Sequence, residues 1–293
     1  MRRLARFFLA CFALAALPAA AETPLAPLPV VASFSILGDF VREVGGDAVA
    51  VSVIVGPDSD AHVYEPTPAD ARKVSEAKLV FVNGLGFEGW FDRLVAAANA
   101  KARIVVASAR IKPRKLDGGL DPHAWQDVAN ARRYVENIRD ALEAADPGRA
   151  ALYETRAAAY LATLETLNKE VAAAIATIPR EKRRIVSTHD AFGYFAARYG
   201  LEFIAPQGVS TEAEPSARDI ARIIDAARRE KVAAVFLENI SDPRLAQRLA
   251  KESGVKLGGE LYSDALSKPD GPAANYVAMM RANLRALTEA LKP

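Results

Sequence analysis

Two α/β lobes, each on a mostly parallel sheet and joined by one long rigid helix, are what the sequence predicts. Three observations carry that prediction. Short β-branched runs alternate with helix-periodic stretches in both halves of the chain, the pattern of βα units around parallel sheets. The alternation is interrupted once, between residues 146 and 179, by a helical pattern far longer than its neighbours. The 293 residues, 51% of them hydrophobic, are enough for two cores at roughly 150 residues each.

In chain order, strands are expected at residues 29–34, 50–55, 79–83, 103–107, 184–187 and 233–237, with a shorter one at 255–257. Helices are expected at 36–44, 68–77, 90–98, 190–199, 215–230 and 244–253, where apolar residues recur at steps of three and four. The long segment opens at Asp146-Pro147, with Asp placed to cap and Pro in the first turn. It runs to Pro179 with Gly148 as its one glycine. Tyr153, Ala157, Tyr160, Leu164, Leu167, Val171 and Ile175 share one face. A helix of about 30 residues is roughly 45 Å long. The expected divisions are a leader at 1–21, a first lobe at 22–145, a connecting helix at 146–179 and a second lobe at 180–293.

The leader reading rests on Arg2, Arg3 and Arg6, the apolar run 7–17, and Ala19-Ala20-Ala21 before Glu22. That is a Sec-type secretory signal cleaved near Ala21, too short for the roughly 20 apolar residues of a membrane span. Lipid attachment at Cys11 is rejected, because too few residues separate it from Arg6. Cys11 is the single cysteine, so neither a disulfide framework nor a thiolate metal site is possible. Without the three leader arginines, 35 Lys and Arg stand against 36 Asp and Glu. That balance, with no basic stretch interleaved with aromatics, argues against nucleic-acid binding.

The chemistry concentrates in three histidines. His62 lies in the polar loop after the second strand, His123 in Asp121-Pro122-His123-Ala124-Trp125 before a helical stretch, and His189 directly after the strand at 184–187. In open α/β sheets ligands collect beyond the carboxyl ends of strands, where these loops fall. Imidazole is shared by zinc, copper, iron and nickel sites. A fourth ligand from the second lobe would close the shell, with Asp264 the best placed and Asp60, Asp121, Asp190, Glu238 and Glu260 as competitors.

The chain resembles the metal-specific substrate-binding proteins of bacterial ABC importers, the cluster A-I family whose two lobes are joined by one long helix. The resemblance covers essentially all of the chain after the leader. It rests on His62-Val63-Tyr64-Glu65-Pro66-Thr67-Pro68, Asn83-Gly84-Leu85-Gly86-Phe87-Glu88, Asp121-Pro122-His123-Ala124-Trp125, Ser187-Thr188-His189-Asp190-Ala191-Phe192 and Tyr262-Ser263-Asp264-Ala265-Leu266-Ser267. It implies that His62, His123, His189 and Asp264 bind the metal in the cleft between lobes. Glu238, Asp121 and Asp190 are the residues expected to orient them. It implies a periplasmic, monomeric binding protein that hands its ion to an inner-membrane permease driven by a separate ATPase. It also leaves room for a metallochaperone. Zinc-type members carry His at the third ligand position and many manganese-type members Glu, so His189 leans to Zn²⁺. The His-rich acidic loop of many zinc-type members is missing here: residues 110–120 are short and basic, which keeps Mn²⁺ or a broader Mn/Fe/Zn range open.

Two other readings deserve a test. Gly84-Leu85-Gly86-Phe87-Glu88-Gly89 matches a dinucleotide fingerprint, although Glu88 would set a carboxylate beside a pyrophosphate. A secreted zinc hydrolase would use the same histidines with Glu238 as general base. A fourth protein ligand argues against that, since a catalytic zinc keeps a position open.

Overall fold

A computed structural model describes residues 26–116 and 119–292; the leader and Cys11 lie outside them. The first lobe holds β1 (Leu28–Phe34), α1 (Ser35–Gly45), β2 (Val49–Val55), α2 (Pro68–Glu76), β3 (Leu79–Val82), α3 (Phe91–Ala98) and β4 (Arg103–Val106). Its sheet is fully parallel in the order β2-β1-β3-β4. A small antiparallel hairpin, β5 (Lys115–Leu116) and β6 (Gly119–Leu120), precedes α4 (Val128–Ala145). After the long helix α5 (Ala150–Ala176) come β7 (Arg184–Val186), α6 (Gly193–Tyr199), β8 (Glu202–Ile204), α7 (Ala217–Arg229), β9 (Val235–Glu238), α8 (Pro243–Ser253), β10 (Leu257–Leu261) and α9 (Tyr276–Ala290). The second sheet is also parallel, in the order β10-β9-β7-β8.

The strands form where unbroken Val, Ile and Phe runs can be covered on both faces. Val30 to Phe34 of the central β1 are all buried, as a parallel strand with helices on either side requires. In each sheet the chain turns outward from an inner pair, β1/β3 in one and β7/β9 in the other. That leaves a crevice at the carboxyl ends of those strands.

Several elements depart from the expected bounds. The long helix begins at Ala150, because Pro147–Arg149 wind as a 3₁₀ turn. Asp146 does not cap it: its N–H closes the end of α4 on Leu142, and its carboxylate takes Arg149 and the Tyr153 hydroxyl. A local acceptor with two nearby donors outcompetes the cap. The last strand sits at Leu257–Leu261 rather than 255–257, and β8 and α9 were not anticipated. α6 starts at Gly193, not residue 190, since the preceding residues form the loop that carries His189.

The buried face of α5 consists of Tyr153, Ala157, Tyr160, Leu164, Leu167, Val171 and Ile175. It packs on α1 and α4 of the first lobe and on α6 and α9 after it. One continuous apolar core therefore runs from β1 through α5 to Phe236, Tyr276 and Met279. A second, smaller core lies between α7, α8 and the outer face of the second sheet. Leu164→Ala is expected to destabilise the metal-free protein by about 2–5 kcal/mol. Lys169→Ala, on the exposed side, should stay within about 0.5 kcal/mol. Chemical denaturation checks both, and equal losses would refute the packing argument.

Candidate metal centre

His62, His123, His189 and Asp264 come from four separate segments, and each offers a ligand atom within 4.8 Å of the others. His62 is 5% exposed and the other three are fully buried. The His62 and His123 Nε2 atoms are 3.3 Å apart. Asp264 Oδ2 lies 3.2 Å from His62 Nε2 and 3.1 Å from His189 Nε2. A tetrahedral ion bound at about 2.0–2.1 Å needs ligand atoms about 3.3 Å apart. Asp264 Oδ1 is buried without a hydrogen-bond partner, 3.5 Å from His123 Nε2. A buried carboxylate facing three imidazole nitrogens through its two oxygens is a donor set suited to a cation.

Each of the four side chains is fixed by its surroundings. The Trp90 indole N–H donates to Ala61 O at 2.7 Å, and His62 N–H donates to Asp60 Oδ1 at 2.9 Å. Beyond His62, the Tyr64 hydroxyl donates to Asp70, which forms a capping box with Thr67 at the start of α2. Burial opposes the Asp70 charge, but the Thr67 N–H and hydroxyl outweigh it and hold the pKa at about 2. His123 is oriented by Asp121, whose Oδ1 takes the backbone N–H at 3.0 Å and meets Nδ1 at 2.9 Å. His189 Nδ1 lies 2.7 Å from Glu238 Oε2, while Glu238 Oε1 accepts N–H bonds from Thr188 and His189 and the Thr188 hydroxyl. The carboxylates behind the His123 and His189 rings favour the tautomer whose Nε2 faces inward.

Of the three residues expected to orient the ligands, Asp121 and Glu238 lie at the Nδ1 atoms of His123 and His189, and Asp190 meets no imidazole nitrogen. The Asp190 carboxylate is half-buried and bonds none of the imidazoles; its backbone N–H donates to Gly208 O. Glu238 sits behind His189, on the side away from Nε2, so it is not placed as a base for an ion-bound water.

Sequence reasoning missed how the lobes clasp the Asp264 loop. The Trp125 indole and the Gln126 amide both donate to Ser263 O, at 2.9 and 2.6 Å. Leu266 N–H donates to the Ser35 hydroxyl, and Tyr276, at the start of α9, gives its N–H to Asp39 and its hydroxyl to Trp125 O. Burial raises the Asp39 carboxyl to about 7, against the Tyr276 N–H that favours its charge. The aromatic and amide at 125–126 beside a histidine were the available signal, but their partners are more than 130 residues away.

The glycine motif has a different use from nucleotide binding. Gly84 has φ +81° and Gly86 φ +83°, and a Cβ on Gly84 would strike Val106 at 2.6 Å. The Glu88 carboxylate turns back into this bend and accepts from Asn83 N–H, Gly84 N–H and the Ser33 hydroxyl. The backbone cradle that a phosphate would need is filled by the chain's own anion. Asn83 in turn donates to Pro122 O, which fixes the segment before His123.

Residues 30–290 match the ZnuA family, the periplasmic component A of zinc-uptake complexes. The chain belongs to this family. The manganese-binding lipoprotein MntA of Halalkalibacterium halodurans is 36% identical over 266 residues, spanning 90% of this chain and 88% of that protein. The iron-binding protein YfeA of Yersinia pestis is 32% identical over 255 residues, spanning 86% and 82%. The solved periplasmic zinc-binding protein TroA from Treponema pallidum superposes with a TM-score of 0.87 at 30% identity, covering 91% of this chain and 99% of its own. The protein is thus a periplasmic metal-binding component of an ABC importer, a binding protein rather than an enzyme.

The imidazole nitrogens that could hold a metal ion also take protons. Burial alone would push His123 down, but the charge of Asp264 and the bond to Asp121 overcome it and raise the pKa to about 9. His189 is driven up in the same way, against burial, by Glu238 and Asp264. Burial likewise opposes the Asp264 charge, which His123 and His189 nonetheless hold well below the usual carboxylate range. The sequence places the fall in affinity near pH 6.5, but these shifts move it higher. Affinity should rise through each pH step from about 6.5 to 9, by up to about tenfold per unit for each displaced proton. Chelator competition measures this, and a plateau above about pH 7.5 would contradict it. The metal-free protein should behave oppositely. The stabilisation from protonated His123 is full below about 6.5 and lost as pH rises through about 9, which metal-free melting curves would show. Glu238→Gln is expected to weaken metal binding by about 10–100-fold at constant pH.

Proposed function

We propose that His62 and His123 from the first lobe, with His189 and Asp264 from the second, capture Zn²⁺ with high affinity for delivery to an inner-membrane permease and its separate ATPase. The observation that carries this reading is the convergence of three imidazole nitrogens on one buried carboxylate at near-tetrahedral spacing. Nitrogen-rich shells of low coordination number suit zinc, whereas manganese takes more oxygen. The matching family's description as a zinc-uptake component supports the same cargo. In this reading residues 22–145 and 180–293 are the two lobes, 146–179 links them, and the chain reaches the periplasm through a signal cleaved near Ala21. It acts as a monomer.

A manganese or mixed Mn/Fe/Zn cargo is the second reading. It is favoured by the names of the manganese- and iron-binding relatives and by Asp264 Oδ1, which could supply a second oxygen. The short basic stretch at 110–120, in place of a His-rich loop, points the same way. Affinity alone is a poor guide, because zinc outcompetes manganese at most such shells. The test is elemental analysis of the mature protein after dialysis against equimolar Zn²⁺ and Mn²⁺, beside His189→Glu. One zinc per chain, weakened in the variant, is expected. One manganese retained against zinc would overturn the cargo, and no metal would overturn the site.

A further inference from the structure

Resting on that ligand assignment, we propose that Arg114 sets the charge of ion that the site accepts, matching it to a divalent rather than a trivalent cation. Three carboxylates lie at most 3% exposed around the centre: Asp264 facing the ion position, and Asp121 and Glu238 behind two of the imidazoles. The imidazoles must be neutral to ligate. Three buried negative charges by themselves would be balanced by a trivalent ion.

One guanidinium changes that balance. Arg114 pairs with Asp121 Oδ2, and it is the one Arg or Lys that forms an ion pair with any of the three carboxylates among the described residues. Glu238 meets no Arg or Lys: its Oε1 accepts from the N–H groups of Thr188 and His189 and the Thr188 hydroxyl, and its Oε2 faces His189 Nδ1 at 2.7 Å. With Arg114 present the buried set carries two net negative charges, which a divalent ion neutralises. Asp60 and Asp190 lie outside this buried set, being only half-buried.

The arginine is held in place from both lobes. Its backbone N–H donates to the Tyr194 hydroxyl at 2.9 Å, and that hydroxyl donates to Asp121 O at 3.1 Å. Its guanidinium lies 5.5 Å from the centre of the Tyr194 ring. The missing Cβ at Gly193 leaves the space that the guanidinium fills. Its side chain keeps 32% exposure while the carboxylate that it touches has none. The charge is therefore partly hydrated and still acts on Asp121 directly.

The inference is tested by titrating wild type, Arg114→Met, Arg114→Lys, Tyr194→Phe and Asp121→Asn with Zn²⁺ and with Ga³⁺ from a citrate buffer. The readout is the ratio of the two affinities. Losing one unit of charge just behind a ligand should move the ratio toward Ga³⁺ by about tenfold or more in Arg114→Met. Arg114→Lys, which keeps the charge, should stay within about threefold of wild type. Tyr194→Phe removes the support without the charge and should leave the ratio unchanged. Asp121→Asn leaves Arg114 unopposed and should shift the ratio toward Zn²⁺, which keeps the test decisive even if Arg114→Met does not fold. An unchanged ratio in the folded Arg114→Met protein, or an equal shift in Tyr194→Phe, would overturn the charge role alone. A wild-type chain that binds no divalent ion would overturn the ligand assignment and this inference together.

Discussion

A cluster of three imidazoles and three carboxylates has been taken almost entirely out of water at the junction of two lobes, and much of the fold answers to the cost of doing so. Unpaired charges in such an interior are expensive, so each member needs a partner of opposite charge or a hydrogen-bond donor. The adjoining carboxylates meet part of that demand by favouring protons on His123 and His189, whose pKa values they drive up against burial. In the proposed reading a divalent ion replaces those protons at the same nitrogens. Binding is thus an exchange of positive charge within a prearranged cage rather than the creation of a charged site.

The cage needs support from both sheets. In the first lobe the bend after β3 carries Glu88 and Asn83, and Asn83 fixes Pro122 beside His123. In the second, Glu238 at the end of β9 holds the turn after β7, so neighbouring strands at the crevice cooperate on His189. The Asp264 loop belongs to the second lobe but is hydrogen-bonded by Trp125, Gln126 and Ser35 of the first. The lobes therefore meet through the backbone that bears the carboxylate, while α5 and α9 pack behind them in a continuous core. This arrangement favours a defined cleft over two freely hinged bodies.

Much of the fold was legible in the chain. The seven residues read as one face of the long helix are its buried face, because a 3.6-residue period reports burial whatever the partner. β1, β2, β3, β4, β7 and β9 announced themselves through β-branched runs. The start of the long helix was misread because Asp146-Pro147 fits a cap, whereas Arg149 and Tyr153 compete for the same carboxylate in space. The three-residue β8 lacks enough length to show a period, and α9 went unread although its face packs well.

By itself the sequence determined the α/β class, the long helix, and the histidines as the residues that chemistry would use, since only three exist and all fall in loops after strands. From spacing alone it could only rank Asp264 among six acids; the motif around it raised that rank. Which acids meet the imidazoles, with Asp121 and Glu238 behind two rings and Asp190 bonded to none, was decided by tertiary structure. So were the filling of the glycine bend by Glu88 and the meeting of Arg114 with Tyr194 across the cleft. Local pattern records what a segment buries. Ligand geometry depends on segments separated by tens to hundreds of residues, whose relative placement only the packed sheets fix.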